Sequence, residues 1–404
     1  MTKILLVGAP LSGNLGGPSL LCSTIKVLSR FIPRAEFTFL SPVTTDSRLH
    51  GTYGVRIVPY TPRGLLVCLL GAILNMATLN LLQLPNSILK EYKNADIIID
   101  IWGIIFSDSL GADPIVYTTL LISRLLNKPV IKYTADIGPF NTRWNRLFAK
   151  LYLNNRELIF ARNEATREYL HELGLSSPIY LCPDTAFLLE PATSEKSEAL
   201  LQEKRKGKAI IGIVVSHMIS RRERDKGKYA SLMAKIAGYL TQKLNAVVIL
   251  IPNEVFLGRY DDLHVARRIY ARTKAKDKVM MLTEGYPAEE LKGIIGTCDL
   301  LIGARYHSIV AALSMSIPTL AVSWHHKYDA VMMLVGQEKY VCDVESLSFD
   351  KLRGMIDSLW ENREEIRATI ESRLPFVKES VLLCGEKVKQ ILDVRKSNKN
   401  PKMI

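Results

Sequence analysis

Cysteine is sparse in this 404-residue chain and never paired in sequence: Cys22, Cys68, Cys182, Cys298, Cys342 and Cys384 stand singly in apolar surroundings. Without a Cys-x-x-Cys or a zinc-type spacing, a disulfide scaffold or zinc module is excluded, and buried free thiols in a reducing compartment are expected. Acid is also short. Against 53 Lys and Arg there are 40 Asp and Glu, a formal net charge of +13, which suits acidic substrates, nucleic acid or an anionic membrane surface. Nucleic acid drops out, because no RNA-binding signature and no basic stripe with interleaved aromatics occurs. No signal peptide precedes the first apolar strand, Lys3 to Val7, so a cytoplasmic setting is expected. Long apolar runs are missing with one exception, Leu65 to Leu82, where eighteen residues carry no charge. That length is the threshold for a membrane span. Asn75, Thr78 and Asn80 weaken it, and a span here would split a sheet-forming domain. Two readings remain, a buried helix or one that touches the inner membrane face peripherally, with Arg63 and Lys90 outside it.

The rest is that of a folded globular protein, 48% hydrophobic and 23% charged, and too long for one ordinary core. Strands and helices alternate through both halves, which makes parallel sheets covered on both faces. The expected fold is α/β: two Rossmann-like domains with parallel sheets facing a cleft. The first spans 1–193, with membrane contact, if any, at 65–82. The polar, charged and helix-forming stretch 194–208 reads as the linker between domains. The second domain spans 209–360, and 361–404 is a charged helix crossing back, followed by a basic tail.

Chemistry concentrates between Asp299 and Tyr328. Leu300 to Ile302 reads as a buried strand, Gly303 and Ala304 as a turn, Ser308 to Ser316 as a helix of small residues, and Thr319 to Ser323 as a second strand after Pro318. In such sheets ligands bind outside the carboxyl ends of the strands. Arg305 with His307, and His325, His326 and Lys327, each follow a strand. One β-α-β unit thus brings a guanidinium, imidazoles and an ammonium to one rim beside a helix N-terminus, an arrangement for an anion. A second candidate is the glycine-rich loop Gly8 to Gly17, lying between strand and helix as in phosphate-binding loops but without a dinucleotide or Walker spacing.

The stretch Gly303-Ala-Arg-Tyr-His-Ser308, its small-residue helix, Ile317-Pro318 and Lys327, twenty residues after His307, resembles the signature of the polysaccharide pyruvyl transferase family. Other segments agree. Gly13-Asn14-Leu-Gly16 is similar to the family's Gly-Asn-x-Gly-Asp opening, with Gly17 in place of the acid. Asp136-Ile-Gly138-Pro139 resembles its Gly-Ile-Gly-Pro loop, Arg162-Asn163 its Arg-Asp, and Pro183-Asp184-Thr-Ala-Phe187 its Pro-Asp-x-x-Phe. The resemblance covers residue 3 to about 345.

It implies a glycosyltransferase-B-like fold and transfer of a pyruvyl group from phosphoenolpyruvate to a glycan hexose as a cyclic ketal. Acceptors of this family are often lipid-linked. Neither a metal nor another cofactor is required by that scheme. An acid with a pKa near neutral must protonate the methylene, so His307 is the catalytic candidate. Arg162 and Arg305 are expected to hold the carboxylate and phosphate, and Lys327 the leaving phosphate. Asn14, Gly13 and Gly16 are expected to line the substrate site. On an extended loop neighbouring side chains alternate, so His325 is expected to share Lys327's side and His326 to face away. Asp100 and Asp108 read either as solvated loop carboxylates or as groups that touch an acceptor sugar or act as a base. Two other function classes fit the fold, a glycosyltransferase using a nucleotide sugar and a non-catalytic glycan-binding relative.

Overall fold

The computed structural model describes residues 1–49, 51–78, 85–107, 114–154, 156–223, 227–256, 258 and 260–399. Asp108, Arg224, Lys226 and the basic tail from 400 lie outside them. The chain forms two compact units. One comprises Met1–Ser12, Gly16–Thr185 and Glu379–Ile404, the other Gly13–Leu15 and Ala186–Lys378.

In chain order the first unit contains β1 (Thr2–Val7), α1 (Gly16–Phe31), β2 (Ala35–Ser41), β3 (Arg56–Pro59), α2 (Pro62–Ala77), α3 (Ser87–Asn94), β4 (Ile97–Asp100), β5 (Ile104–Ile105), α4 (Pro114–Leu125), β6 (Val130–Ile137), α5 (Arg143–Leu153), β7 (Leu158–Ala161), α6 (Glu164–Glu172) and β8 (Ile179–Leu181). The sheet runs β3-β2-β1-β4-β6-β7-β8, with β5 added beside β6, and every pairing is parallel. Helices cover both faces, so the strands are apolar throughout. Ile4 and Leu6 enter one core, Leu5 and Val7 the other.

The uncharged run resolves into a helix with two faces. Thr61 caps α2 by accepting from the Gly64 amide at 3.0 Å. Leu65, Cys68 and Ala72 are buried, whereas Leu66, Val67, Leu70, Ile73 and Met76 are exposed. The helix ends at Ala77, and residues 79–82 of the run lie outside the described residues. Among the described residues no helix is long and apolar enough to cross a membrane.

In the second unit the stretch 194–208 forms a helix, α7 (Glu195–Arg205), started by a reciprocal Ser194–Ser197 capping box. Then come β9 (Ile210–Val215), α8 (His217–Arg222), α9 (Lys228–Lys243), β10 (Val247–Pro252), α10 (Asp262–Arg272), β11 (Val279–Met281), α11 (Ala288–Gly296), β12 (Leu300–Gly303), α12 (Tyr306–Leu313), β13 (Thr319–Ser323), α13 (Lys327–Leu334), β14 (Val341–Asp343), α14 (Phe349–Glu361) and the closing α15 (Arg363–Lys399), which belongs to the first unit from Glu379 on. The order β11-β10-β9-β12-β13-β14 is parallel throughout and reverses direction between β9 and β12. That reversal opens a crevice at the carboxyl ends of those strands.

Candidate functional site

The carboxyl ends of β9, β10 and β12 converge on one buried guanidinium. Arg305 follows β12 and occupies the position just before α12. Its Nε donates to Asp262 Oδ2 at 2.9 Å and its Nη2 to Asp262 Oδ1 at 2.5 Å. The same Nη2 lies 2.9 Å from Glu254 Oε2 and 2.8 Å from His217 Nδ1. Among the described residues no partner is recorded for Nη1, which leaves that nitrogen's donors for a ligand.

Electrostatics follow from this crowding. Burial alone pulls the Arg305 pKa down, but the Asp262 and Glu254 charges more than reverse it. Burial works to raise Asp262, and the guanidinium and His217 hold it below its ordinary value regardless. For Glu254 burial wins, and its carboxyl is raised despite Arg305. His217 Nδ1 is also 2.9 Å from Asp262 Oδ1, so it serves either the carboxylate as donor or Arg305 as acceptor, one at a time. His217, Glu254 and Asp262 form a grouping of metal-ligand type, but Arg305 already supplies their cation.

Asn14 and Gly13 belong to this cluster. Asn14 Nδ2 donates to Glu254 Oε1 at 2.9 Å, and the Val255 amide donates to the Gly13 carbonyl at 3.0 Å. Gly13 has φ +80°, and a Cβ there would sit 2.3 Å from the Phe256 ring. A side chain is barred twice over. Gly16 begins α1 in the first unit. At Gly17, where the motif it resembles has an acid, a Cβ would meet the Pro10 carbonyl oxygen at 2.1 Å.

The outer rim carries His307 and the loop after β13. His307 is half-buried on the first turn of α12 while the neighbouring residues are buried. Its ring lies 5.4 Å from that of Tyr306, and the Lys327 ammonium sits 5.2 Å from the Tyr306 centroid, 5.3 Å from Trp324 and 5.7 Å from Tyr328. Three aromatic faces therefore hold the ammonium. The expected alternation of His325 and His326 does not occur. Their rings stack at 4.1 Å, because His326 already has helical dihedrals (φ −51°, ψ −23°) as α13 begins. Burial, then the neighbouring His326 and Lys327, lower the His325 pKa to about 3. His325 is thus neutral near pH 7, and its Nδ1 accepts from the Lys327 amide at 3.4 Å.

Arg162 belongs to the first unit, whereas Arg305, His307, His325 and Lys327 belong to the second. It follows β7 and is buried between Asp136 (2.7 Å) and Asp184 (3.2 Å), with Nη2 donating to the Thr134 carbonyl at 2.7 Å. Asp184 is thus a second ion-pair partner of Arg162. Asn163 caps α6 by accepting from the Thr166 amide and donates from Nδ2 to Asp136 Oδ1 at 2.6 Å. A carboxylate at 163, as in the motif this segment resembles, would face that of Asp136. Asp100 is neither solvated nor available to a sugar. It is buried at the end of β4, paired with Lys132 at 2.9 Å and bonded by the Tyr152 hydroxyl. Burial lowers the Lys132 pKa against the pull of Asp100.

His217, Glu254 and Asp262 escaped the sequence reading. The rule that selected Arg305 applies equally to His217 and Glu254, which follow β9 and β10; Asp262 carried no comparable signal.

The comparisons agree with this architecture. The chain is 24% identical over 423 residues to the amylovoran biosynthesis protein AmsJ of Erwinia amylovora, covering 98% of this chain and 99% of that protein. A glycosyltransferase from Rickettsia africae ESF-5 superposes with TM-score 0.58 at 16% identity, covering 97% of this chain and 98% of the other. A putative UDP-N-acetylglucosamine 2-epimerase from Listeria monocytogenes does so with TM-score 0.62 at 11% identity, covering 99% and 97%. The fold is thus the glycosyltransferase-B type, two Rossmann-like α/β units. Residues 14–326 match the polysaccharide pyruvyl transferase family model, and the chain belongs to that family.

Proposed function

We propose that the protein transfers the pyruvyl group of phosphoenolpyruvate to two hydroxyls of a glycan hexose, forming a cyclic ketal and releasing phosphate. The observation that carries this reading is the convergence of His307 and Lys327 on the Tyr306 ring at the mouth of the crevice that holds Arg305. His307 protonates the methylene carbon, and the first sugar hydroxyl adds to the resulting oxocarbenium-like centre. The second hydroxyl displaces phosphate. Of the two hydroxyl protons, one replaces the proton given to the methyl group and the other leaves with phosphate.

Lys327 neutralises the phosphate while the aromatic faces hold its ammonium in place. Arg305 donates from Nη1 to the donor's anionic groups, with Asp262 and Glu254 fixing its plane. Arg162, held by Asp136 and Asp184, positions the first unit's loops rather than gripping a ligand. Glutamine at 307 keeps a polar group of similar reach but removes the acid. His307→Gln should therefore abolish phosphate release from phosphoenolpyruvate with acceptor glycan while the melting temperature stays put; near-full turnover in that variant would remove His307 from the mechanism. Thermal stabilisation by nucleotide sugars but not by phosphoenolpyruvate would favour a glycosyltransferase instead.

A further inference from the structure

The first unit exposes apolar side chains in a pattern that its own core does not use. On α5 Trp144, Leu147, Phe148 and Leu151 are 71%, 47%, 39% and 53% exposed. They repeat at helical spacing on one face, while Asn145, Ala149, Tyr152 and Leu153 fill the other. The outward stripe of α2, Leu66 to Met76, does the same. The two stripes belong to one layer, because α4 lies against both helices. It packs along α2, its Tyr117 ring is 5.1 Å from Phe148, and its Arg124 Nη1 donates to the Leu151 carbonyl at 3.4 Å. Leu121 of α4 is itself exposed.

Charge on this layer has one sign. The sequences of α2, α4 and α5 contain Arg63, Arg124, Arg143, Arg146 and Lys150 and no carboxylate. Arg143, Arg146 and Lys150 are exposed around the α5 stripe. Soluble monomers rarely expose contiguous apolar patches of this extent. A second copy of the chain is a poor occupant, since pairing this face with itself would set cations against cations. A planar anionic surface with an apolar interior satisfies both features: apolar side chains enter the headgroup boundary, Trp144 sits at the interface, and the cations stay with the lipid phosphates.

We propose that the α2–α4–α5 face docks peripherally on an anionic lipid bilayer. The test is co-sedimentation of the full chain with phosphatidylcholine vesicles with and without phosphatidylglycerol. The protein should pellet only with phosphatidylglycerol present, and added salt should release it. The triple variant Arg143→Gln, Arg146→Gln, Lys150→Gln should lower vesicle partitioning roughly a hundred-fold. Leu70→Glu with Trp144→Glu should abolish it. Both variants should keep the wild-type melting temperature, because every altered side chain is exposed. Equal pelleting with neutral and anionic vesicles, none with either, or partitioning unchanged in both variants would overturn the proposal. So would a wild-type dimer in light scattering that Leu70→Glu with Trp144→Glu converts to monomer, since the face would then be a protein interface.

Discussion

Replacing Arg305 with Met keeps the length of the side chain and removes its charge from between two carboxylates. Breaking a buried ion pair from one side costs about 3–5 kcal/mol. The lower end applies here, for two reasons. Glu254 is already shifted toward its neutral form by burial. Asp262 keeps backbone donors from His217 at 2.8 Å, Asn253 at 3.2 Å and Glu254 at 3.0 Å. A loss of about 3 kcal/mol in a unit of this size lowers the melting temperature by roughly 6–12 °C. The sign with pH follows from the same picture. Without the guanidinium both carboxyls have folded pKa values above their unfolded ones, so the deficit is full at neutral pH and shrinks as acid protonates them. Calorimetry of the variant near neutrality and in mild acid should show this. Adding Asp262→Asn should recover much of the loss, because the stranded charge goes with its partner. A loss below about 1 kcal/mol, a deficit independent of pH, or strict additivity of the two substitutions would refute the clamp.

Three further outcomes are expected. Lys327→Ala should weaken phosphoenolpyruvate binding roughly ten- to hundred-fold, as for loss of a charged hydrogen bond; an unchanged KM would place the phosphate elsewhere. His325 is held neutral when folded, with its pKa lowered from 6.5 to about 3. Its contribution to stability is therefore full above pH 6.5 and falls as pH drops from there toward 3; His325→Phe should flatten that acid-side slope in urea unfolding, and parallel curves for variant and wild type would contradict it. Asn163→Asp keeps the α6 cap but sets a carboxylate against Asp136 across a 2.6 Å contact. It should cost about 1–3 kcal/mol in denaturant titration, and a variant as stable as the wild type would contradict it.

What the sequence alone determined is whatever local pattern encodes. Strands buried on both faces read as unbroken apolar runs, so β9, β10, β12 and β13 were legible, and with them the parallel α/β class. Arg305, His307 and Lys327 were legible because they follow such strands and fall within Gly303 to Tyr328. Tertiary structure decided the partners. Arg305 meets Asp262 and His217 across 43 and 88 positions, because parallel register aligns the carboxyl ends of strands far apart in the chain. Asp100 looked like a loop acid until Lys132 arrived on the neighbouring strand. The run from Leu65 hid two faces, since an uncharged helix shows no polar stripe to mark its outside. His325 and His326 depended on where α13 begins, and helical dihedrals at His326 replaced alternation with stacking. Asp136 and Asn163 lie 27 positions apart and look unrelated in one dimension. Pairing of β6 with β7 brings them to 2.6 Å, a contact that holds because a carboxylate and an amide bond each other where two carboxylates would repel.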